Sequence, residues 1–153
     1  MESKFFGELS VIGMRGSENF VAQVDQYLRE WRGTDESFIV TPICERFGTG
    51  EAKCMLPSTM RGHDTYIFAD LYNYGVTLRM YGKEFPMSPD DHFQDLKRII
   101  GAIGGKARRI SVIMPMLYES RQDKRTMRES LDCAMALQEL ERMGVSNIIT
   151  FDV

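Results

Sequence analysis

The chain has 153 residues, 43% of them apolar and 27% charged. That is the size and balance of one folded domain and wrong for a disordered chain. A formal net charge of −3 excludes a broadly basic nucleic-acid binder. No run of about 18 apolar residues could form a membrane-spanning helix, and residues 1–8 lack the basic-then-apolar order of a secretory signal. The three cysteines, Cys44, Cys54 and Cys133, are odd in number and have no C-x-x-C spacing. They argue against a disulfide framework and a zinc ribbon, and for a reducing, cytoplasmic setting. The eleven methionines read as packing residues.

Residues 9–14 read as a short apolar strand ending at Gly13 and Gly16. Ser17 is the expected N-cap of a helix, with Glu18 favourable in the first turn. Phe20, Val24, Tyr27, Leu28 and Trp31 recur at helical spacing, which predicts that they form its buried face, and Gly33 stops it. Residues 38–44 are rich in β-formers, with Pro42 marking an edge or a break. Residues 51–56 read as a partner strand, joined through Phe47-Gly48-Thr49-Gly50 in a hairpin. Residues 65–71 are nearly all apolar, as buried parallel strands are. Residues 72–87, with Gly75, Gly82 and Pro86, read as a long, poorly packed loop.

A helix follows, with Ser88 as N-cap, Pro89 at its first position, and Asp90 and Asp91 favouring the positive end of its dipole. Phe93, Leu96, Ile99, Ile100 and Ile103 make its buried stripe, and Gly104 and Gly105 end it. Residues 110–116 are another buried strand. Thr126 with Glu129 has the spacing of a capping box. Cys133, Ala136, Leu137, Leu140 and Met143 form the face of a last helix capped by Gly144, and residues 147–153 are a final strand. Strand, helix, strand, helix, strand predicts a parallel α/β sheet with helices on its faces. Ligands of such sheets bind beyond the carboxyl ends of the strands. The last strand reaches Val153, so residues 1–153 are expected to be one domain cut from a longer protein, which the resemblance set out below makes a two-domain one.

Two nucleotide motifs begin and fail. Gly48-Thr49-Gly50 opens like G-x-G-x-x-G, but Lys53 stands in place of the third glycine. Gly104-Gly105-Lys106 lacks the upstream glycine and the following Ser or Thr of a P-loop. His63 and His92 share no ligand spacing and are expected to face solvent, and Cys133 to be an inert core thiol. The informative segment is residues 121–128, where Arg121, Lys124, Arg125 and Arg128 accompany Gln122 and Asp123. It follows a buried strand and precedes a capped helix, whose positive end makes further cations costly unless an anion comes. Arg presents a planar fork that suits phosphate, and Gln both gives and accepts hydrogen bonds, which suits a base edge. A solvated surface loop accounts for the composition equally well.

With three other stretches, the segment resembles the ribose-phosphate pyrophosphokinases (phosphoribosyl pyrophosphate synthetases). Pro115, Arg121-Gln122-Asp123-Lys124-Arg125 and Arg128-Glu129 are similar to that family's strand-end motif. Phe47-Gly48-Thr49-Gly50-Glu51 is similar to its Phe-x-Asp-Gly-Glu loop. Met60-Arg61-Gly62-His63-Asp64-Thr65-Tyr66-Ile67-Phe68 resembles its Val-Arg-Gly-x-Asp-x-Phe-Ile-Ile stretch. Gly144-Val145-Ser146-Asn147-Ile148-Ile149-Thr150-Phe151-Asp152 resembles its Gly-x-x-x-Val-Ile-Thr-Val-Asp strand. The four occur in the family's order across residues 36–153.

The resemblance implies an α/β, three-layer phosphoribosyltransferase-like domain, its sheet mostly parallel with a small β-hairpin. It implies a cytoplasmic homo-oligomer, with no nucleic-acid or membrane partner. The reaction it implies moves a pyrophosphoryl group from ATP to ribose 5-phosphate with Mg2+, giving phosphoribosyl pyrophosphate and AMP between two such domains. By position, Arg121, Gln122 and Asp123 would meet ATP, and Phe47 and Glu51 would serve a neighbouring subunit's ATP. No catalytic residue or metal ligand is expected in this chain. The family's metal-binding His would follow Val153, and its ribose-phosphate loop lies in the second domain. The sequence departs from the pattern at Thr49, where the family has Asp, in the run Met116-Leu117-Tyr118-Glu119-Ser120, at Ala134, and in the length of residues 72–87. Those departures suggest a divergent branch. Half of an active enzyme and a non-catalytic regulatory relative with weak nucleotide binding both stay open. An unrelated flavodoxin-like signalling domain would need an early acidic pair and a central Asp that are not here.

Overall fold

The computed structural model describes residues 6–153, so the reading of residues 1–5 lies outside the described residues. In chain order the elements are β1 (Glu8–Gly13), α1 (Glu18–Arg32), β2 (Ile43–Arg46), β3 (Ala52–Met55), β4 (His63–Phe68), β5 (Thr77–Met80), β6 (Lys83–Pro86), α2 (Pro89–Ile103), β7 (Arg109–Met116), α3 (Asp132–Arg142) and β8 (Asn147–Asp152). β1, β4, β7 and β8 pair in that order as one parallel sheet. Side-chain alternation along the strands splits the core between the two faces. Ile12, Ile67, Val112 and Met114 pack with residues of α2 and α3, such as Leu96 and Leu140. Val11 and Phe68 point the other way, where Val21 of α1 covers them. The result is the three-layer α/β domain expected. α2 forms as its sequence dictates. Ser88 Oγ accepts from the Asp91 N–H, the Asp91 carboxylate accepts from the Ser88 N–H, and the whole predicted stripe is buried.

Several local expectations fail. In α1, Val21 and Asp25 are buried, while Phe20, Tyr27 and Trp31 are exposed. The Asp25 carboxylate accepts from the Phe38 N–H at 2.7 Å and the Ser37 hydroxyl at 3.0 Å, and it pairs with Arg29. A carboxylate so satisfied tolerates burial, and it turns the helix away from the stripe that its aromatic residues mark. Ser17 makes no side-chain cap; Glu18 accepts the Gly16 N–H instead. Residues 38–44 do not form one strand. Ile39 makes an isolated bridge to Val11, and β2 begins beyond Pro42, at Ile43. His92 is buried rather than in solvent, its Nε2 2.9 Å from the Asn73 carbonyl.

Residues 72–87 are not a loose loop. β5 and β6 pair antiparallel and turn at Tyr81-Gly82, both with positive φ, 47° and 75°. Such a two-residue turn follows the twist of a hairpin. Val76, Leu78 and Met87 bury a small core of their own beneath it.

The cysteine count also misled. β2 and β3 set Cys44 opposite Cys54 with their Cα atoms 4.1 Å apart, and the two are joined by a disulfide. Strand register, which counting cannot see, brings the pair together, and the compartment inferred from the count loses its ground. Cys133 is the free, buried thiol; burial, then Asp123 and Glu119, push its pKa up. Unfolded without reductant, the chain should therefore titrate a single thiol with a disulfide reagent, and after reduction all three. Three thiols before reduction would rule the bond out.

Candidate functional site

Beyond the carboxyl end of β7 the chain opens into residues 117–131, rooted by two tyrosines. The Tyr118 ring stacks on Phe93 of α2 with centroids 4.2 Å apart, and its hydroxyl donates to Asp90 at 2.6 Å. Burial first, and then the Asp90 carboxylate, push the Tyr118 pKa up, so the phenol keeps its proton. The Tyr72 hydroxyl donates to the Leu117 carbonyl at 3.4 Å and accepts from the Glu119 N–H at 3.3 Å. Glu119 has a φ of 57° and leads into a single 3-10 turn, Ser120–Gln122. Burial, then Asp132 and Asp90, raise its carboxyl pKa.

Past that root the loop is open. Arg121, Lys124, Arg125 and Arg128 are exposed. Among the described residues, none of the four makes a hydrogen bond or ion pair with a protein group. Gln122 is half-buried and Asp123 exposed. Though Glu119, Asp123 and Glu129 share the loop, none ion-pairs with these four cations, so their donors are open to an anion. The helix predicted to start at Thr126 does not. Thr126 Oγ1 does donate to Glu129 at 3.1 Å, but α3 begins only at Asp132. A first turn is costly and needs packing to hold it, and residues 126–130 are all exposed. The case for an anion therefore rests on the cations, without a helix dipole behind them.

The second predicted group lies in the β2–β3 turn. Gly50 donates to the Phe47 carbonyl at 2.9 Å and Phe47 to the Glu51 carbonyl at 2.8 Å. Phe47 is 49% exposed. The Thr49 hydroxyl donates to the Glu51 carboxylate at 3.0 Å, so the turn offers one acid. Two supports hold it. From inside, Arg46 donates to the Gly50 carbonyl at 3.1 Å and to Asp95 of α2 at 3.0 Å, and Asp95 also accepts from Arg98 at 2.6 Å. From outside, the Tyr81 N–H donates to the Gly48 carbonyl at 2.9 Å. Gly50, at φ +94°, holds a conformation that strains any other residue, and the Met80 side chain packs against it. Sequence reasoning passed over Arg46, Asp95 and Tyr81. The signals were small: the inward alternation of Arg46 with Cys44 in β2, and an acid set beside Leu96 in an apolar stripe.

The structure does not bring the two groups together within one chain. Among the described residues, no hydrogen bond or ion pair links Phe47 or Glu51 to Arg121, Gln122 or Asp123. Nor, among them, do three or more His, Cys, Asp or Glu side chains converge to hold a metal ion. A groove of about 320 Å³ under α1, walled by Leu9, Val11, Phe20 and Leu28, lies on the sheet face away from both groups. Its one acid, Asp64, is held by Arg109 at 2.7 Å.

Residues 9–144 match the family described as the N-terminal domain of ribose phosphate pyrophosphokinase. Among solved structures, phosphoribosylpyrophosphate synthetase from Mycobacterium smegmatis superposes with a TM-score of 0.71 over 94% of this chain, at 19% identity. That likeness is one of fold. The present chain spans 42% of the length of that relative. No curated protein sequence matches it.

Proposed function

The chain belongs to the family of the N-terminal domain of ribose phosphate pyrophosphokinase, and from that premise we propose that it supplies half of an ATP site. The parent reaction in this reading transfers pyrophosphate from ATP to ribose 5-phosphate, giving phosphoribosyl pyrophosphate and AMP. Arg121 grips phosphate oxygens, Gln122 bonds the base edge, and Asp123 accepts from the nucleotide. Phe47 and Glu51 serve the nucleotide of a second copy, which accords with their separation from Arg121 in one chain. Magnesium comes with the ATP phosphates. Phosphoryl transfer depends mainly on positioning and charge stabilisation, and this chain's part is to hold the nucleotide. The observation that carries the reading is the set of four exposed cations, without protein partners, past the end of β7. The non-catalytic relative is favoured by one detail, the tying of Thr49 to Glu51 where the family's Asp would add a second acid.

Titration with magnesium-ATP, followed by NMR, tests the site. Half a site should bind near the millimolar range, about −4 kcal/mol. Arg121→Ala removes a charge-assisted hydrogen bond, about 1.5–3 kcal/mol, and should take binding below detection. Arg61→Ala, at the amino end of β4, should leave it unchanged. Shifts around Arg61 with none around Arg121 would sink the assignment.

A further inference from the structure

We infer that Tyr81, at the β5–β6 turn, is a second aromatic contact for the purine ring of the nucleotide received by the β2–β3 turn; the inference rests on the reading of Phe47 given above. Position is the first ground. The Tyr81 N–H bonds the Gly48 carbonyl at 2.9 Å, which fastens the two turns together next to Phe47. Both side chains are open, Phe47 at 49% and Tyr81 at 78% exposure. Among the described residues, neither ring meets another ring.

The backbone is the second ground. Tyr81 sits at φ 47°, a region where bulky residues are outliers and where a hairpin turn favours Asn, Asp or Gly. An exposed ring adds nothing to the core, so stability does not explain a tyrosine there. A residue held in a disfavoured conformation is a pointer to function. The third ground is stiffness. Arg46 holds the Gly50 carbonyl from one side, and Met80 backs Gly50 from the other. Aromatic faces presented on a fixed frame lose little freedom when a flat base stacks on them.

The chemistry is that of an aromatic platform for a base, and it is indifferent to the phosphates. Irradiating the chain with magnesium 8-azido-ATP and mapping the labelled peptides tests it. Label is expected on the peptides that hold Phe47 and Tyr81. Tyr81→Asn keeps the backbone N–H and relaxes the turn, so its melting temperature should stay level or rise while labelling of the Phe47 peptide falls about tenfold. Tyr81→Phe should label as the unaltered chain does. Inorganic tripolyphosphate with magnesium, which has no base, should bind the unaltered chain and Tyr81→Asn alike. Label at Phe47 alone, with yield unchanged in Tyr81→Asn, overturns the inference and spares the reading of the β2–β3 turn. Label at neither peptide overturns both.

Discussion

Asp95→Ala should destabilise the chain by about 3–5 kcal/mol, the cost of removing one partner from a buried ion pair. Asp95 is 5% exposed and accepts from Arg46 and Arg98. The two arginines do not suffer equally. The Arg98 side chain, 21% exposed, can turn into water, whereas that of Arg46, 10% exposed, cannot. Most of the loss is therefore the burial of one uncompensated guanidinium. For a chain of this length each kcal/mol moves the melting temperature by roughly 2–4 °C, so thermal unfolding followed by circular dichroism should show a fall on the order of 6–20 °C. Asp95→Asn keeps an acceptor and should lose less. Replacing Arg46 and Asp95 together by Met and Leu should also lose less than Asp95→Ala, because no charge is left stranded. A fall smaller than about 2 °C for Asp95→Ala would mean that the pair is not buried against α2. Arg46 also holds the Gly50 carbonyl, so the β2–β3 turn should loosen in the same variant.

Those parts of the fold that are written in neighbouring residues were readable in advance. α2 needs only its own cap, its proline and its stripe, all within sixteen residues, and the strands of the sheet announce themselves as apolar runs. What failed needed a distant partner. Asp25 is buried because Ser37 and Phe38, twelve and thirteen residues on, supply its donors, and periodicity counts it as polar and outward. Cys44 meets Cys54 because of hairpin register. β5 and β6 turn on Tyr-Gly, not on Asn-Gly or Asp-Gly, so the usual hairpin signal is absent. The cations at Arg121, Lys124, Arg125 and Arg128 were legible as composition. The late start of α3 was not, since it waits for Ala136 and Leu140 to find the core. The braces on the β2–β3 turn, Arg46 and Tyr81, were hidden for the same reason: each acts on a residue from another element or across a turn.

By itself the 153-residue chain should form no phosphoribosyl pyrophosphate. Transfer needs ATP and ribose 5-phosphate held in line, with charge neutralised where it develops. In the proposed reading this chain holds one side of ATP only. The two groups proposed to meet nucleotide are joined by no hydrogen bond or ion pair among the described residues of one chain. The fold relative is more than twice as long, since this chain spans 42% of it, and the resemblance puts the ribose-phosphate loop in a second domain. Without that loop the proximity contribution, up to roughly 7–11 kcal/mol of barrier, is lost, and association of several copies does not restore it. A coupled assay for AMP release with ATP, magnesium and ribose 5-phosphate should stay at background at any protein concentration. Turnover near 1–100 per second, ordinary for phosphoryl transfer, would show that both substrates are held by this chain alone, and the division of labour proposed between two domains would have to be abandoned.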